Sequence, residues 1–312
     1  MTASKNRRIV LAARPKGEPR DSDFRLEELD IPSPGEGQVL LRNLYLSLDP
    51  YMRGRMNEGP SYAPPVEVDE VMPGGTVSEV VKSKSPSLSP GDTVLSYAGW
   101  QEWAVAPAGA VSKLDPAAAP VSTALGVLGM PGMTAYAGLL NIGQPKEGET
   151  VVVAAAAGAV GSAVGQIARI KGCRVVGIAG SAEKCSYVRN ELGFDACIHR
   201  RSPSFEEELQ TACPRGVDVY FENVGGTVLK TVALLLNNFA RIPVCGLIAH
   251  YNMEALPLGP DWTPVLLSLA LKKRLTIRGF LVFDFEGQRG EFLRDMGVWF
   301  REGRVKHREH VD

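Results

Sequence analysis

The sequence predicts an α/β protein in which a doubly wound parallel sheet is inserted near the end of a compact antiparallel β unit. Three observations carry that expectation. Over the first ~120 residues, short apolar alternations are broken by Pro and Gly, as in IPSPGEGQVLLRNLYLSL, VMPGGTVSEVV and LSPGDTVLSY. From about Leu125 the rhythm changes to strand alternating with helix. Residues 151–180, VVVAAAAGAVGSAVGQIARIKGCRVVGIAG, enclose a glycine cluster between two apolar runs. A chain of 312 residues has room for two domains.

The second half supplies six strand-like runs, at 151–156, 174–179, 195–198, 217–222, 241–247 and 275–282. Helix-like segments at 161–171, 182–192, 204–212, 226–237 and 262–273 lie between them. Five helices between six strands describe a doubly wound sheet. A last helix-like stretch, QRGEFLRDMGVWFREG, leads into VKHREHV, which is expected to return to the β unit. The expected domains are therefore 1–123 with 304–312, and 124–303.

Composition narrows the partners. Lys+Arg at 34 against Asp+Glu at 35 gives a net charge of −1, with no surplus for nucleic acid or an anionic membrane. The five cysteines (Cys173, Cys185, Cys197, Cys213, Cys245) form no CxxC pair, so a reducing cytoplasm is expected rather than a disulfide framework. The start, MTASKNRRIV, lacks the apolar core of a signal peptide, and PVLLSLAL at 264–271 is far too short to span a bilayer.

In a strand-turn-helix, glycine lets the backbone approach a pyrophosphate, and the helix N-terminus supplies free N–H groups and a positive dipole end. Gly158 and Gly161 are placed to do so, with Gly165 allowing close packing of the helix on the sheet. Ala155 stands where the first glycine of the usual fingerprint would be. The competing reading is a tightly packed turn with no ligand. The next strand ends in Ile178-Ala179-Gly180-Ser181, without the carboxylate that accepts both ribose hydroxyls of NAD. Lys184 and the Ser181 hydroxyl suit a 2′-phosphate instead, with Arg200 as a second cation, so NADP(H) is favoured; the alternative for both cations is a solvated surface.

A β unit beside a nucleotide-type sheet invites comparison with zinc enzymes, whose catalytic metal needs converging Cys, His or carboxylate ligands. Residues 1–172 contain neither Cys nor His, and the four histidines are His199, His250, His307 and His310. No metal is expected.

Five stretches, LYLSLDPYMRGRM (44–56), GVLGMPGMTAYAGLL (126–140), AAAAGAVGSAVGQIARIKGCRVVGIAGSAEK (154–184), FENVGG (221–226) and RIPVCGLIAHYN (241–252), resemble the zinc-free medium-chain dehydrogenase/reductases. They most resemble the branch of curcumin, prostaglandin and 2-alkenal reductases. The resemblance implies a Rossmann sheet domain inserted in a GroES-like β domain, a homodimer, and NADPH-dependent reduction of the C=C bond of α,β-unsaturated ketones and aldehydes. It implies cofactor contacts from Met130, Thr134, Ala157, Gly158, Ala159, Val160, Gly161, Gly180, Ser181, Lys184 and Asn223. It adds Cys245, Gly246, Leu247, Ile248 and Tyr251, and the strand end Phe280, Leu281 and Val282. The chain departs from the family at His199-Arg200, where relatives often carry a tyrosine. Relatives also continue beyond the point matching Asp312 through a helix, a GxNxGK-like turn and a final strand.

Hydride delivery to the β-carbon of an enone leaves negative charge on the carbonyl oxygen, which without a metal calls for a preorganised O–H donor. Tyr251 and Tyr62 are the first candidates, and Tyr51 is expected to shape the nicotinamide pocket. An aromatic packing role is the alternative for each. Met52, Met56, Met130 and Met133 are read as core first and substrate lining second. Arg53 and Arg55 suit either a surface or an anionic substrate. The alternatives to an ene-reductase are a zinc-free quinone reductase and a non-enzymatic NADPH-binding structural or regulatory protein.

Overall fold

The computed structural model describes residues 5–255 and 259–312. Residues 1–4, which begin the charged N-terminal stretch, and 256–258 lie outside the described residues. The chain divides into two units: the first runs to Leu125 and takes in the segment beginning at Tyr251, and the second begins at Gly126 and runs to Asp312.

In the first unit, β1 (Asn6–Leu11) pairs antiparallel with β2 (Phe24–Leu29). A five-stranded antiparallel sheet follows, built from β3 (Gln38–Leu46), β4 (Thr76–Ser83), β5 (Thr93–Ser96), β6 (Trp103–Pro107) and β7 (Ser112–Lys113) in the order β6-β3-β4-β5-β7. The period-two pattern explains its core. Val39 and Leu41 of β3, Val80 of β4 and Val94 of β5 point to one face and are fully buried. A second cluster joins Leu11, Val66 and Met72 to Met52 and Met56 at the short helix α1 (Tyr51–Arg55), so those two methionines are core.

The second unit begins with helix α2 (Met130–Ala137) and a wider helical turn at Gly138–Gly143. There follow β8 (Thr150–Ala154), α3 (Ala159–Ile170), β9 (Arg174–Ala179), α4 (Ala182–Asn190), β10 (Ala196–His199), α5 (Phe205–Ala212), β11 (Val217–Phe221) and α6 (Gly226–Leu235). β12 (Leu236–Val244), α7 (Thr263–Lys273), β13 (Thr276–Gly279) and α8 (Arg289–Arg301) complete it. The six strands are all parallel in the order β10-β9-β8-β11-β12-β13. β8 is buried along its whole length because helices cover both faces, hence its unbroken run of apolar residues. The strand order reverses between β8 and β11, and open parallel sheets bind ligands at that point, beyond the carboxyl ends.

Three expectations are corrected. The fifth strand begins at Leu236, five residues before the expected 241, and the preceding helix stops at Leu235. Leu236 pairs with Val217, and the chain then bulges, with Phe239 at φ 64°, before Arg241 pairs with Val219. The polar Asn237 and Asn238 in that bulge read as a helix end. The last strand ends at Gly279 rather than 282, because the chain turns into a 3₁₀ segment, Val282–Gln288. Residues 304–312 stay with the second unit instead of returning to the β unit. Val305 is 1% exposed in the core of that unit, and the Lys306 N–H donates to Gln166 Oε1 at 2.7 Å. Alternation in VKHREHV could not say which partner the tail would meet. Among the described residues no helix is long and apolar enough to cross a membrane.

Candidate active site

The turn between β8 and α3 is built for close approach. Ala155 takes a left-handed φ of 52°, the conformation for which the usual fingerprint supplies glycine. Its carbonyl accepts from the Gly158 N–H at 2.9 Å and closes the turn. A β-carbon on Gly161 would overlap that same carbonyl oxygen, and one on Gly158 would come within 3.2 Å of it. No side chain caps α3 at Gly158, which leaves first-turn N–H groups available at an exposed surface. Gly165 acts differently: a side chain there would overlap the ring of Phe194, so this glycine seats the helix.

At the ends of β9 and β10, the Ser181 hydroxyl caps α4 by accepting from the Lys184 N–H at 3.2 Å. The backbone N–H of Arg200 donates to Ala179 O at 2.9 Å, which puts the start of the next loop beside Gly180. His199 Nε2 lies 3.0 Å from Gly180 O. Lys184 and Arg200 are exposed, and among the described residues neither side chain is held in an ion pair. Two unengaged cations, a hydroxyl and an uncapped helix end therefore lie along one edge.

At the strand-order reversal, Asn223 Nδ2 donates to Ala154 O at 2.8 Å and ties the ends of β11 and β8 together. The following turn is zipped to the loop after β12: Cys245 and Gly246 donate to Glu222 O, Ile248 to Asn223 O and Ala249 to Val224 O. That loop presents Leu247 and Ile248, 38% and 48% exposed. Phe280 packs edge-on to Phe221, 6.3 Å between centroids, and half-buried Leu281 and Val282 follow it. On α2, Met130 is half-buried, Met133 is core, and the Thr134 hydroxyl donates to Met130 O at 2.8 Å.

The three candidate tyrosines, Tyr51, Tyr62 and Tyr251, fall in the first unit. Tyr51 opens α1 half-buried, and its phenol is pushed up to about 12 by burial first, then by the neighbouring Asp49, Tyr97 and Tyr62. It therefore keeps its proton at any ordinary pH. Tyr62 is 57% exposed, and Tyr251 begins the segment that joins this unit.

Sequence reasoning missed two residues and left a third, Arg53, between a surface and an anionic-substrate role. Glu222, in FENVGG, is 1% exposed; its carboxylate accepts from the Val224 and Gly225 N–H groups and from the Tyr220 hydroxyl. Burial raises its pKa although those bonds favour the anion. Tyr97, just past β5, is a further exposed phenol near Tyr51. Arg53 bonds to Asn252, 199 positions away. No local pattern marks Tyr97, the burial of Glu222 or the far partner of Arg53, although the FENVGG and LYLSLDPYMRGRM stretches were themselves conspicuous. Among the described residues no group of three or more His, Cys, Asp or Glu side chains is arranged to hold a metal ion.

A doubly wound sheet with an uncapped glycine turn, chained to an antiparallel β unit, places the chain in the class of dinucleotide-binding α/β proteins. Residues 7–114 match the family described as the N-terminal domain of oxidoreductase, and residues 159–296 that described as zinc-binding dehydrogenase. The NADPH-dependent curcumin reductase of Escherichia coli (strain K12) is 56% identical over 98% of this chain and 89% of its own length. Prostaglandin reductase 1 of Oryctolagus cuniculus is 42% identical over 95% of this chain and 82% of its own. The crystal structure of CurA in complex with NADPH from Vibrio vulnificus superposes with a TM-score of 0.94 at 53% identity, covering 97% of this chain and 90% of that one. The chain belongs to the medium-chain dehydrogenase/reductase superfamily, in the branch of the curcumin and prostaglandin reductases, and is an oxidoreductase. That membership sets aside the non-enzymatic reading.

Proposed function

We propose that this oxidoreductase uses NADPH to reduce the C=C bond of α,β-unsaturated ketones and aldehydes. The observation that carries the reading is the 56% identity, over nearly the whole chain, with a relative named for NADPH-dependent curcumin reduction. The residues present fit that cofactor: a turn whose glycines leave the space β-carbons would fill, and two cations with no ion-pair partner among the described residues where a 2′-phosphate would lie.

When bound, NADPH supplies the hydride for the β-carbon of the enone. The Ala157–Val160 backbone, with Gly161, and the α3 N-terminus hold the pyrophosphate. Ser181, Lys184 and Arg200 hold the 2′-phosphate beside Gly180. Asn223, the loop Cys245 to Ile248, the Phe280 to Val282 segment, Met130 and Thr134 hold and orient the nicotinamide end. As charge develops on the substrate oxygen, the Tyr251 and Tyr62 hydroxyls donate to it, each contributing roughly 3 kcal/mol on the scale of comparable oxyanion donors. Tyr51, kept neutral by its raised pKa, shapes the pocket. Water supplies the α-carbon proton, so no strongly perturbed acid is needed.

The test is product identification after NADPH oxidation with graded enones: a saturated ketone supports the reading, and an untouched C=C overturns it. The quinone-reductase alternative is not favoured, since relatives at 56% and 42% identity are named for curcumin and prostaglandin reduction. A homodimer is part of the proposal. β13 is an edge strand exposed at every position, and Leu267 and Leu271 of α7 are 62% and 79% exposed, surface that a second copy would cover. Light scattering that returns the monomer mass of 33.6 kDa would refute it.

A further inference from the structure

We propose that Arg53 is a positioning residue that fixes the Tyr251 segment against the helix carrying Tyr51. A guanidinium offers five N–H donors in a rigid fork, usually spent on a carboxylate or phosphate. Arg53 spends them on neutral acceptors from three separate places. Its Nε donates to Asn252 Oδ1 at 3.0 Å, Nη1 to Asn57 Oδ1 at 2.6 Å, and Nη2 to Gly17 O at 2.8 Å with a longer bond to Pro15 O at 3.5 Å. Among the described residues it forms no ion pair, and it is half-buried rather than in solvent. A charged fork placed this way acts as a cross-link. It joins the turn at 15–17, the end of α1 and the segment that begins at Tyr251.

The surroundings are shaped for the same contact. Gly17, at φ 73°, has the side of Glu254 and the backbone of Asn252 as the nearest groups to its missing β-carbon. The turn and the segment therefore lie together with Arg53 bridging them. Asn252 is bonded directly to Tyr251, so holding its side chain restrains the backbone from which the phenol projects. Tyr51 lies two residues before Arg53 on the same five-residue helix. One side chain thus sets the placement of two phenols relative to each other, a role that rests on the reading of Tyr251 as donor to the substrate oxygen. It also explains why the arginine is not available to attract an anionic substrate.

The test combines kinetics with proteolysis on the full chain. Arg53→Lys keeps the charge but loses the fork, and Asn252→Ala cuts the same tether from the other side. Each is expected to lower kcat for enone reduction roughly tenfold, the scale on which small misplacements of reacting groups act, with KM for NADPH within about twofold of the parent. In a Tyr251→Phe background Arg53→Lys should cost nothing further, because the two act through one group. Where Tyr251→Phe itself is slowed, equal losses in both backgrounds, or no loss in either, overturn the proposal. Chymotryptic cleavage after Tyr251, mapped by peptide mass, should accelerate in both tether variants at an unchanged melting temperature. Cleavage at the parent rate overturns the tether whatever the kinetics. A Tyr251→Phe variant of parental rate with accelerated cleavage in Arg53→Lys instead overturns the donor assignment and leaves the tether standing.

Discussion

The α-carbon of Gly161 faces the carbonyl oxygen of Ala155 so closely that a β-carbon added there would overlap it, whereas one on Gly158 would stop 3.2 Å away. The Ala155 carbonyl is already engaged by Gly158 N–H, so the turn has little room to yield. Gly161→Ala is therefore expected to disrupt the turn, costing about 1–3 kcal/mol in stability and at least tenfold in NADPH affinity. Gly158→Ala should cost less in both. Calorimetric titration with NADPH and thermal melts of the two variants would reveal a reversed order if the turn were not the cradle.

Lys184 and Arg200 stand at one edge of the sheet with no ion-pair partner among the described residues. Removing either should raise KM for NADPH by about ten- to a hundredfold, the worth of a charge-assisted bond to phosphate, and leave KM for NADH unchanged. Lys184→Glu should lower the NADPH/NADH ratio of kcat/KM furthest. Equal effects on both coenzymes would place the 2′-phosphate elsewhere.

Of the phenols, Tyr251→Phe and Tyr62→Phe are expected to lower kcat/KM between about tenfold and a thousandfold. Tyr51→Phe should change it less. Because the Tyr51 phenol is raised to about 12 by burial and the neighbouring Asp49, Tyr97 and Tyr62, its ionisation should put no descending limb in the pH–rate profile below pH ~11. A limb near pH 10 that Tyr51→Phe abolishes would contradict the assignment.

Glu222 carries a stability that depends on pH. Burial raises its folded pKa above the unfolded value, so the folded chain binds the proton more tightly than the unfolded one. The stability that the proton adds is complete below the ordinary glutamate range and is lost as pH rises through the raised folded value. Glu222→Gln, which keeps the shape without the charge, should gain stability relative to the parent as pH rises from 4 to 7. A constant difference in urea midpoints across that range would refute the linkage. Glu222→Ala should be destabilised at every pH, because it strands the Val224 and Gly225 N–H groups at about 1–3 kcal/mol each.

The sheet was legible because β8 and β9 are continuous apolar runs ending in small residues, a pattern that burial on both faces imposes. The placement of the glycine turn, Lys184 and Asn223 just beyond strand ends was legible for a related reason: in an open parallel sheet the carboxyl ends of the strands lie on one side. The start of β12 was not, since a bulge at Phe239 lets polar Asn237 sit in a strand beside Asp218, to which its side chain donates at 2.7 Å. Nor were Glu222 and the bond from Arg53 to Asn252. A buried carboxyl is recognised by what surrounds it, and a tether by its far end, and neither leaves a local period. The tail at 304–312 failed similarly: Gln166, buried in α3, binds the Lys306 backbone through both its amide oxygen and its amide nitrogen, a pairing no pattern within VKHREHV announces.

On the proposed reading, this protein moves a hydride from NADPH to a conjugated C=C bond. Anaerobic incubation of the purified chain with NADPH deuterated at C4 and an α,β-unsaturated ketone, followed by mass and NMR analysis of the product, tests it directly. Deuterium at the β-carbon of a saturated ketone is the expected result. An allylic alcohol with its double bond intact, or coenzyme that stays reduced across a range of enones, would contradict it.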